Sequence, residues 1–251
     1  MRALYWKEIR SFLGSTIGYI FILIFLITSG VVHWFITGDA NLLEGAEVDL
    51  IPFFNSSPWI FLVLIPAITM RSIAEERRNG TIELLFTRPI TDLKIILSKY
   101  FAGVTLLIIT LIPTFVYYYS MRQLGVNPVA EDGTITSVID EGAMLTSYFG
   151  LILLGSVFVA IGIFASSVTS SQIVAFILGM FLCLFFWYGL ELLGSFSLMG
   201  DYDVIFQFMG MASHYESIMR GVIDSKDMIY FFGLIGIFIT ASLTVVKSLK
   251  R

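Results

Sequence analysis

Charge is scarce in this sequence of 251 residues, because only 14% of them are Asp, Glu, Lys or Arg. Soluble domains contain about 25% of these residues. Hydrophobic residues instead make up 57% of the chain, and the mean hydropathy is +0.88. This composition excludes an ordinary soluble domain. It predicts an all-α membrane protein that forms one transmembrane domain over residues 1–251.

Groups that bind metals or form disulfides are almost absent from the sequence. Cys183 is the only cysteine, so no disulfide can form within the chain, and the only histidines, His33 and His214, are far apart. We expect both histidines to be interfacial side chains. We expect no metal and no other cofactor on this chain.

The common catalytic motifs are missing as well. No phosphate-binding loop of the form G-x-x-x-x-G-K-[ST] occurs, and neither G-x-S-x-G nor H-E-x-x-H is present. The chain is therefore not expected to be an enzyme or to hydrolyse ATP itself. Glu191 is the only carboxylate inside an apolar run. Ion-coupled carriers keep ionisable groups within the membrane, so this scarcity argues against a carrier of that kind.

What the sequence does contain is a series of six long apolar runs. A helix of about 20 residues spans the hydrocarbon core of a bilayer, which is roughly 30 Å thick. The spans predicted on this basis are approximately 17–36, 53–71, 95–119, 144–165, 172–193 and 228–246. Pro66 and Pro113 lie inside two of them, and we expect each proline to kink its helix.

Two shorter segments have the pattern of amphipathic surface helices. The first covers residues 2–13 and could also be a plain basic anchor; the second lies before the last span and could also be an ordinary interfacial helix. The apolar face predicted for the first consists of Tyr5, Trp6, Ile9, Phe12 and Leu13, with Lys7, Glu8 and Arg10 off it. The face predicted for the second consists of His214, Tyr215, Ile218, Met219 and Val222.

The distribution of basic residues predicts the orientation in the membrane. Six spans put both termini on one side, together with the segment that links the second and third spans. If that side is the cytoplasm, every Lys and Arg is cytoplasmic except Arg122, Arg220 and Lys226. The positive-inside rule therefore predicts cytoplasmic termini.

The longest charged segment, EERRNGTIELLFTRPIT, begins at Glu75 and links the second and third spans. Asn79-Gly80 indicates a turn, Thr81 can cap a short helix after it, and Pro89 ends that helix. The predicted apolar face of this short helix carries Ile82, Leu85 and Phe86. Such a helix could lie on lipid headgroups or dock into a groove of a soluble partner.

This charged segment resembles the cytoplasmic signature of ABC-2 type permeases, the membrane subunits of one class of ATP-binding cassette transporters. The sequence GIFASSVTSSQIVAF, at 162–176, resembles the hairpin of the same family. The sequence HYESIMRGVIDSKDMIYF, at 214–231, is similar to a segment of ABC-2 permeases of the gliding-motility and nitrous-oxide-reductase-maturation kind. Together these resemblances cover nearly the whole chain in the order of the family.

The resemblance implies a fold with six transmembrane helices of the ABC-2 permease type. It also implies an N-terminal elbow helix, a cytoplasmic coupling helix between spans 2 and 3, and a short outer re-entrant or interfacial helix before span 6. The residues that the resemblance assigns to ATPase coupling are Glu75, Glu76, Arg77, Arg78, Gly80, Thr81, Ile82, Glu83, Leu85, Phe86 and Pro89. Pro66 and Pro113 would then lie on the pathway that carries the motion.

The function that the resemblance implies is that of a permease subunit in the bacterial inner membrane. A separate ABC ATPase subunit would bind ATP-Mg, and a second permease subunit would complete a homodimer or heterodimer surrounded by membrane lipid. Export associated with gliding motility is the expected activity. The alternative is a membrane anchor or scaffold of a motility or secretion complex that moves no solute. No nucleic-acid partner is expected.

Overall fold

The structure is a computed structural model and describes residues 1–43, 49–83, 90–124, 140–195 and 208–249. All regular elements in these ranges are helices. In chain order they are α1 (Arg2–Leu13), α2 (Thr16–Trp34), α3 (Ile51–Thr69), α4 (Ala74–Arg78), α5 (Asp92–Leu111), α6 (Phe115–Leu124), α7 (Glu141–Val168), α8 (Gln172–Leu184), α9 (Leu190–Ser195), α10 (Met211–Met219) and α11 (Ser225–Ser248).

Most of these helices form membrane spans. The described residues contain five segments that are long and apolar enough to cross a membrane: Ile51–Arg78, Asp92–Leu124, Glu141–Val168, Gln172–Ser195 and Ser225–Ser248. A sixth is added if α1 and residues 18–34 of α2, which are bent by 59° relative to each other, are counted as one span. The predicted all-α membrane fold is thus confirmed, with five or six spans.

Side-chain caps fix where several helices begin. The Ser15 hydroxyl accepts a hydrogen bond from the Gly18 N–H at the start of α2. The Asp140 carboxylate caps α7, and the Asp224 carboxylate caps α11. A carboxylate at this position satisfies free N–H groups and favours the positive end of the helix dipole.

The α7 helix lies at the centre of the bundle. In the most apolar 18-residue stretch of α7, 83% is buried inside the bundle. The buried share of the corresponding stretch is 28% in both Gln172–Ser195 and Ser225–Ser248. Neighbouring helices approach it closely because α7 has small residues at the crossings. A β-carbon added to Gly162 would lie 2.0 Å from Thr69 Oγ1, and one added to Gly155 would lie 2.4 Å from Leu107 Cδ2.

The N-terminal helix α1 packs along α5 and does not stand apart from the bundle. Ile9 is buried, and the Tyr5 hydroxyl lies 2.8 Å from Thr105 Oγ1. Glu8, which was expected off the apolar face, is only 8% exposed, whereas Trp6 of that face is 48% exposed. Glu8 can be buried because it faces a cation on α5, as described below.

The helix α10 is shorter than its predicted face. Tyr215 and Ile218 are buried as expected, and the Tyr215 hydroxyl donates a hydrogen bond to the Phe54 carbonyl oxygen at 2.9 Å. Val222, however, lies beyond the helix and is 59% exposed. Gly221 has a φ of +88°, a left-handed conformation that ends the helix before Val222.

The two histidines differ in their surroundings. His33 lies in the last turn of α2 and is fully buried within the bundle, and its expected interfacial position stays a prediction. Its burial is possible because both ring nitrogens have partners, Nδ1 at 2.6 Å from the Ser29 carbonyl oxygen and Nε2 at 2.6 Å from Ser56 Oγ. The Nδ1 atom of His214 lies 2.7 Å from the Oδ1 atom of Asp227.

Both span prolines lie near irregular backbone. The helix α3 continues through Pro66 to Thr69, and residues 70–73 then form turns before α4 begins. Pro113 lies in a 3₁₀ turn, Ile112–Thr114, between α5 and α6. The part that either proline plays in transmitting motion stays a prediction.

The close crossing at Gly162 leads to a stability prediction. Gly162→Ala should lower the midpoint of thermal unfolding in detergent, because the new methyl group also meets the Thr69 β-carbon at 2.8 Å and rotation of that side chain cannot relieve the overlap. Overpacking of this kind costs about 1–3 kcal/mol. The matched control is Gly233→Ala on α11, where a β-carbon has nothing within 4 Å. Equal losses in both variants would contradict the close packing of α3 against α7.

Candidate functional site

The break between α3 and α4 is held by a hydroxyl group from α7. Ser166 Oγ accepts hydrogen bonds from the N–H groups of Ile73 at 2.9 Å and Ala74 at 3.0 Å. The same hydroxyl donates to the Met70 carbonyl oxygen at 2.9 Å. Backbone groups that a helix break leaves unpaired are costly when buried, so Ser166 stabilises the break.

The charged helix α4 carries four of the residues predicted for coupling. Arg77 donates from Nη1 to the Ser167 carbonyl oxygen at 2.6 Å, which is a second contact with the end of α7. Arg78 is exposed, and Glu75 is half-buried beside a cavity. Glu76 points to α5.

The partner of Glu76 is Lys99, whose ammonium group is shared by two carboxylates. Lys99 Nζ lies 2.9 Å from Glu76 Oε1 and 3.2 Å from Glu8 Oε1. The Lys99 side chain is only 2% exposed. Lys7 contributes a weaker contact from the solvent side, with Nζ 3.5 Å from Glu8 Oε1 and 3.7 Å from Glu76 Oε1. One buried cation therefore joins α1, α4 and α5.

The turn after α4 has the backbone that the sequence predicts. Gly80 has a φ of +69°, which is the left-handed region that glycine adopts readily. Thr81 Oγ1 lies 3.4 Å from the Glu76 carbonyl oxygen. Ile82 and Glu83 are helical, and Ile82 is half-buried against the core.

The rest of the predicted coupling helix cannot be placed. Leu85, Phe86 and Pro89 lie outside the described residues. The apolar face predicted for this helix therefore rests on the sequence alone.

A cavity of about 440 Å³ opens beside Lys99, between α1, the end of α3, α4 and the start of α5. Its lining combines the charged residues of the α4 region with hydroxyl and amide groups. The charged residues that line it are Lys7, Glu8, Arg71, Glu75, Glu76 and Lys99.

Sequence reasoning missed four residues of this site: Glu8, Lys99, Ser166 and Ser167. The sequence predicts only that Lys99 is one of the basic residues of the cytoplasmic side and that Glu8 lies off the apolar face. The available signal was weak. Glu8 is the only acid in residues 2–13, and Lys99 lies inside the third apolar run, but no periodicity joins residues that are so far apart.

Fold and site together define a multi-pass α-helical membrane protein. Its charged helix α4 is joined by ion pairs and a hydrogen bond to α1, α5 and α7. The family described as ABC-2 family transporter protein matches residues 2–247. The chain belongs to this family. No curated protein matches the sequence closely enough to add a more specific relationship.

Membership of the family has direct consequences for the class of activity. The chain is the transmembrane component of an ABC transporter and not the ATPase. Family membership supports a permease role and implies partnership with an ABC ATPase.

The shared lysine leads to a second prediction. Lys99→Met should destabilise the protein by on the order of 3 kcal/mol, because removing one partner leaves buried charge uncompensated. Thermal unfolding in detergent measures the loss. Lys94→Met on the same helix is the control, since Lys94 is exposed. Adding Glu8→Gln and Glu76→Gln to Lys99→Met should restore most of the stability. A Lys99→Met protein as stable as the wild type would refute the shared ion pair.

Proposed function

We propose that this chain is the permease subunit of an ABC exporter in the bacterial inner membrane, driven by a separate ABC ATPase. The match of the family over residues 2–247 is the observation that carries this proposal. In this proposal both termini and residues 70–94 lie in the cytoplasm, where ATP is available. The support for that orientation is the distribution of Lys and Arg.

We further propose that residues 81–87 form the coupling helix and dock into the ATPase. A helix with one apolar face fits a groove on a soluble partner, and the sequence of this segment resembles the family signature. The contacts of the preceding helix support a path for motion. Glu76 is joined through Lys99 to α1 and α5, and Arg77 is joined to the end of α7.

In this mechanism, a displacement of the coupling helix moves α4 and the three attached helices together. The break at residues 70–73 would act as the hinge between α4 and α3, with Ser166 holding the broken backbone. The 3₁₀ turn at Pro113 would let α5 move relative to α6. The ATPase would thus displace the helices in the cytoplasmic half of the bundle without breaking the buried ion pairs.

A second permease subunit would complete the transporter. The low burial of Gln172–Ser195 and Ser225–Ser248, 28% each, supports a surface that contacts a second subunit and lipid. The resemblance at 214–231 supports the assignment to gliding-motility-associated export. If the assembly is instead a scaffold, the ATPase would bind this chain but no solute would cross the membrane.

Capture of the ATPase tests the proposed coupling helix. The double variant Leu85→Asp, Phe86→Asp should abolish co-purification with the ABC ATPase of the host in mild detergent, because two carboxylates cannot enter an apolar groove unpaired. Wild-type protein should retain the ATPase. The amount of ATPase recovered per permease is the measurement.

The matched control also introduces two aspartates in place of apolar residues, but at the other end of the molecule. Val222→Asp and Ile223→Asp alter exposed apolar residues between α10 and α11, and this variant should retain the ATPase. Equal capture by wild type and the Leu85, Phe86 variant would mean that docking occurs elsewhere. If neither wild type nor any variant captured an ATPase, the proposed complex with an ABC ATPase would be contradicted.

Glu191 distinguishes the exporter from an ion-coupled carrier. Glu191→Gln should leave ATP-driven activity largely intact, since the proposed mechanism assigns this carboxylate no proton or ion. A carrier that used Glu191 would lose activity completely. Activity of the reconstituted complex, together with a check of membrane insertion, separates the two.

A further inference from the structure

The cavity beside Lys99 contains two charges that the ion-pair network does not use. Lys7, Glu8, Glu76 and Lys99 contact one another, two of each sign, so their charges cancel. Among the described residues, neither Arg71 nor Glu75 has such a partner, although both line the cavity. The cavity therefore offers one cation and one anion to a ligand.

The uncharged lining adds hydrogen-bonding groups. Ser11, Ser72 and Asn79 line the cavity. Two hydroxyl groups and an amide can each donate to phosphate oxygens, and a guanidinium group such as that of Arg71 can bind phosphate in a bidentate manner. The Glu75 carboxylate can accept hydrogen bonds from a primary ammonium group. This set complements a ligand that carries both a phosphate and an ammonium group.

The position of the cavity favours a lipid as the source of that ligand. The cavity lies where apolar spans give way to charged helix ends, and Phe12 and Ile68 form its apolar part. The cavity therefore presents charged groups and apolar side chains together, as a site for an amphipathic ligand does.

We propose that this cavity binds the headgroup of a zwitterionic phospholipid of the phosphoethanolamine type. The phosphate faces Arg71, and the ammonium group faces Glu75. A choline headgroup fits less well, because its quaternary ammonium has no hydrogen to donate to the carboxylate. An anionic headgroup without an amine leaves Glu75 uncompensated.

A bound headgroup would contact both α1 and α4, the two elements that Lys99 joins. The lipid would then fill the space between the N-terminal helix and the segment that leads to residues 81–87. This site does not depend on ATPase docking, so it can be tested on the permease chain alone.

Native mass spectrometry of the purified full chain tests the proposal. The protein is incubated in detergent with phosphatidylethanolamine, phosphatidylcholine or phosphatidylglycerol of identical acyl chains. We expect preferential retention of phosphatidylethanolamine. Arg71→Gln and Glu75→Gln should each reduce that retention about tenfold, which corresponds to the loss of one hydrogen-bonded charge contact.

Two further variants serve as controls. Arg78→Gln removes an exposed charge of the same segment that does not line the cavity, and it should leave retention unchanged. Glu75→Asp keeps the carboxylate and should preserve the preference for phosphatidylethanolamine, so that a general folding defect is distinguished from the loss of a ligand group.

Four results would overturn the proposal. Wild-type protein that retains no lipid, or retains phosphatidylcholine equally well, would exclude the ethanolamine site. Stronger retention of phosphatidylglycerol, lost only in Arg71→Gln, would show an anion site instead. Binding of soluble glycerophosphoethanolamine as tightly as the lipid would exclude a membrane source.

Discussion

The structure depends on one ammonium group that is almost completely buried, that of Lys99. Removing a cation from water costs several kcal/mol, and Lys99 recovers that cost only if carboxylates reach it from two directions. Glu8 of α1 and Glu76 of α4 do so at 3.2 and 2.9 Å. The helices that supply them cannot drift from α5 without leaving a buried charge unpaired. A short N-terminal helix and a five-residue helix are thereby fixed to a membrane span.

The remaining contacts extend this local constraint to α3 and α7. Ser166 pairs the backbone groups of the break between α3 and α4, and the glycine at 162 lets α3 approach α7 at the level of Thr69. A break whose polar groups are satisfied can change direction without exposing them. In the proposed mechanism α4 therefore moves together with α1, α5 and α7.

The sequence was sufficient for the features that depend on local composition. Apolar runs predicted the spans, and Asn79-Gly80 predicted the left-handed turn, because both follow from neighbouring residues. Features set by distant residues could not be predicted in this way. The burial of Glu8 depends on Lys99, and the burial of His33 depends on Ser56 of another helix. Residues 84–89 lie outside the described part, so the docking face of the coupling segment remains a prediction.

The central claim is that α1 and α4 move as one body when the ATPase acts. Spin labels at Arg10→Cys on α1 and Arg78→Cys on α4, in a Cys183→Ala background, would report their separation by pulsed electron resonance in the assembled complex. A third label at Lys226→Cys gives distances to the opposite end. We expect the α1–α4 distance to be the same with and without trapped nucleotide, while the distances to Lys226→Cys change. An α1–α4 distance that changes by several ångströms, with the others constant, would contradict the account.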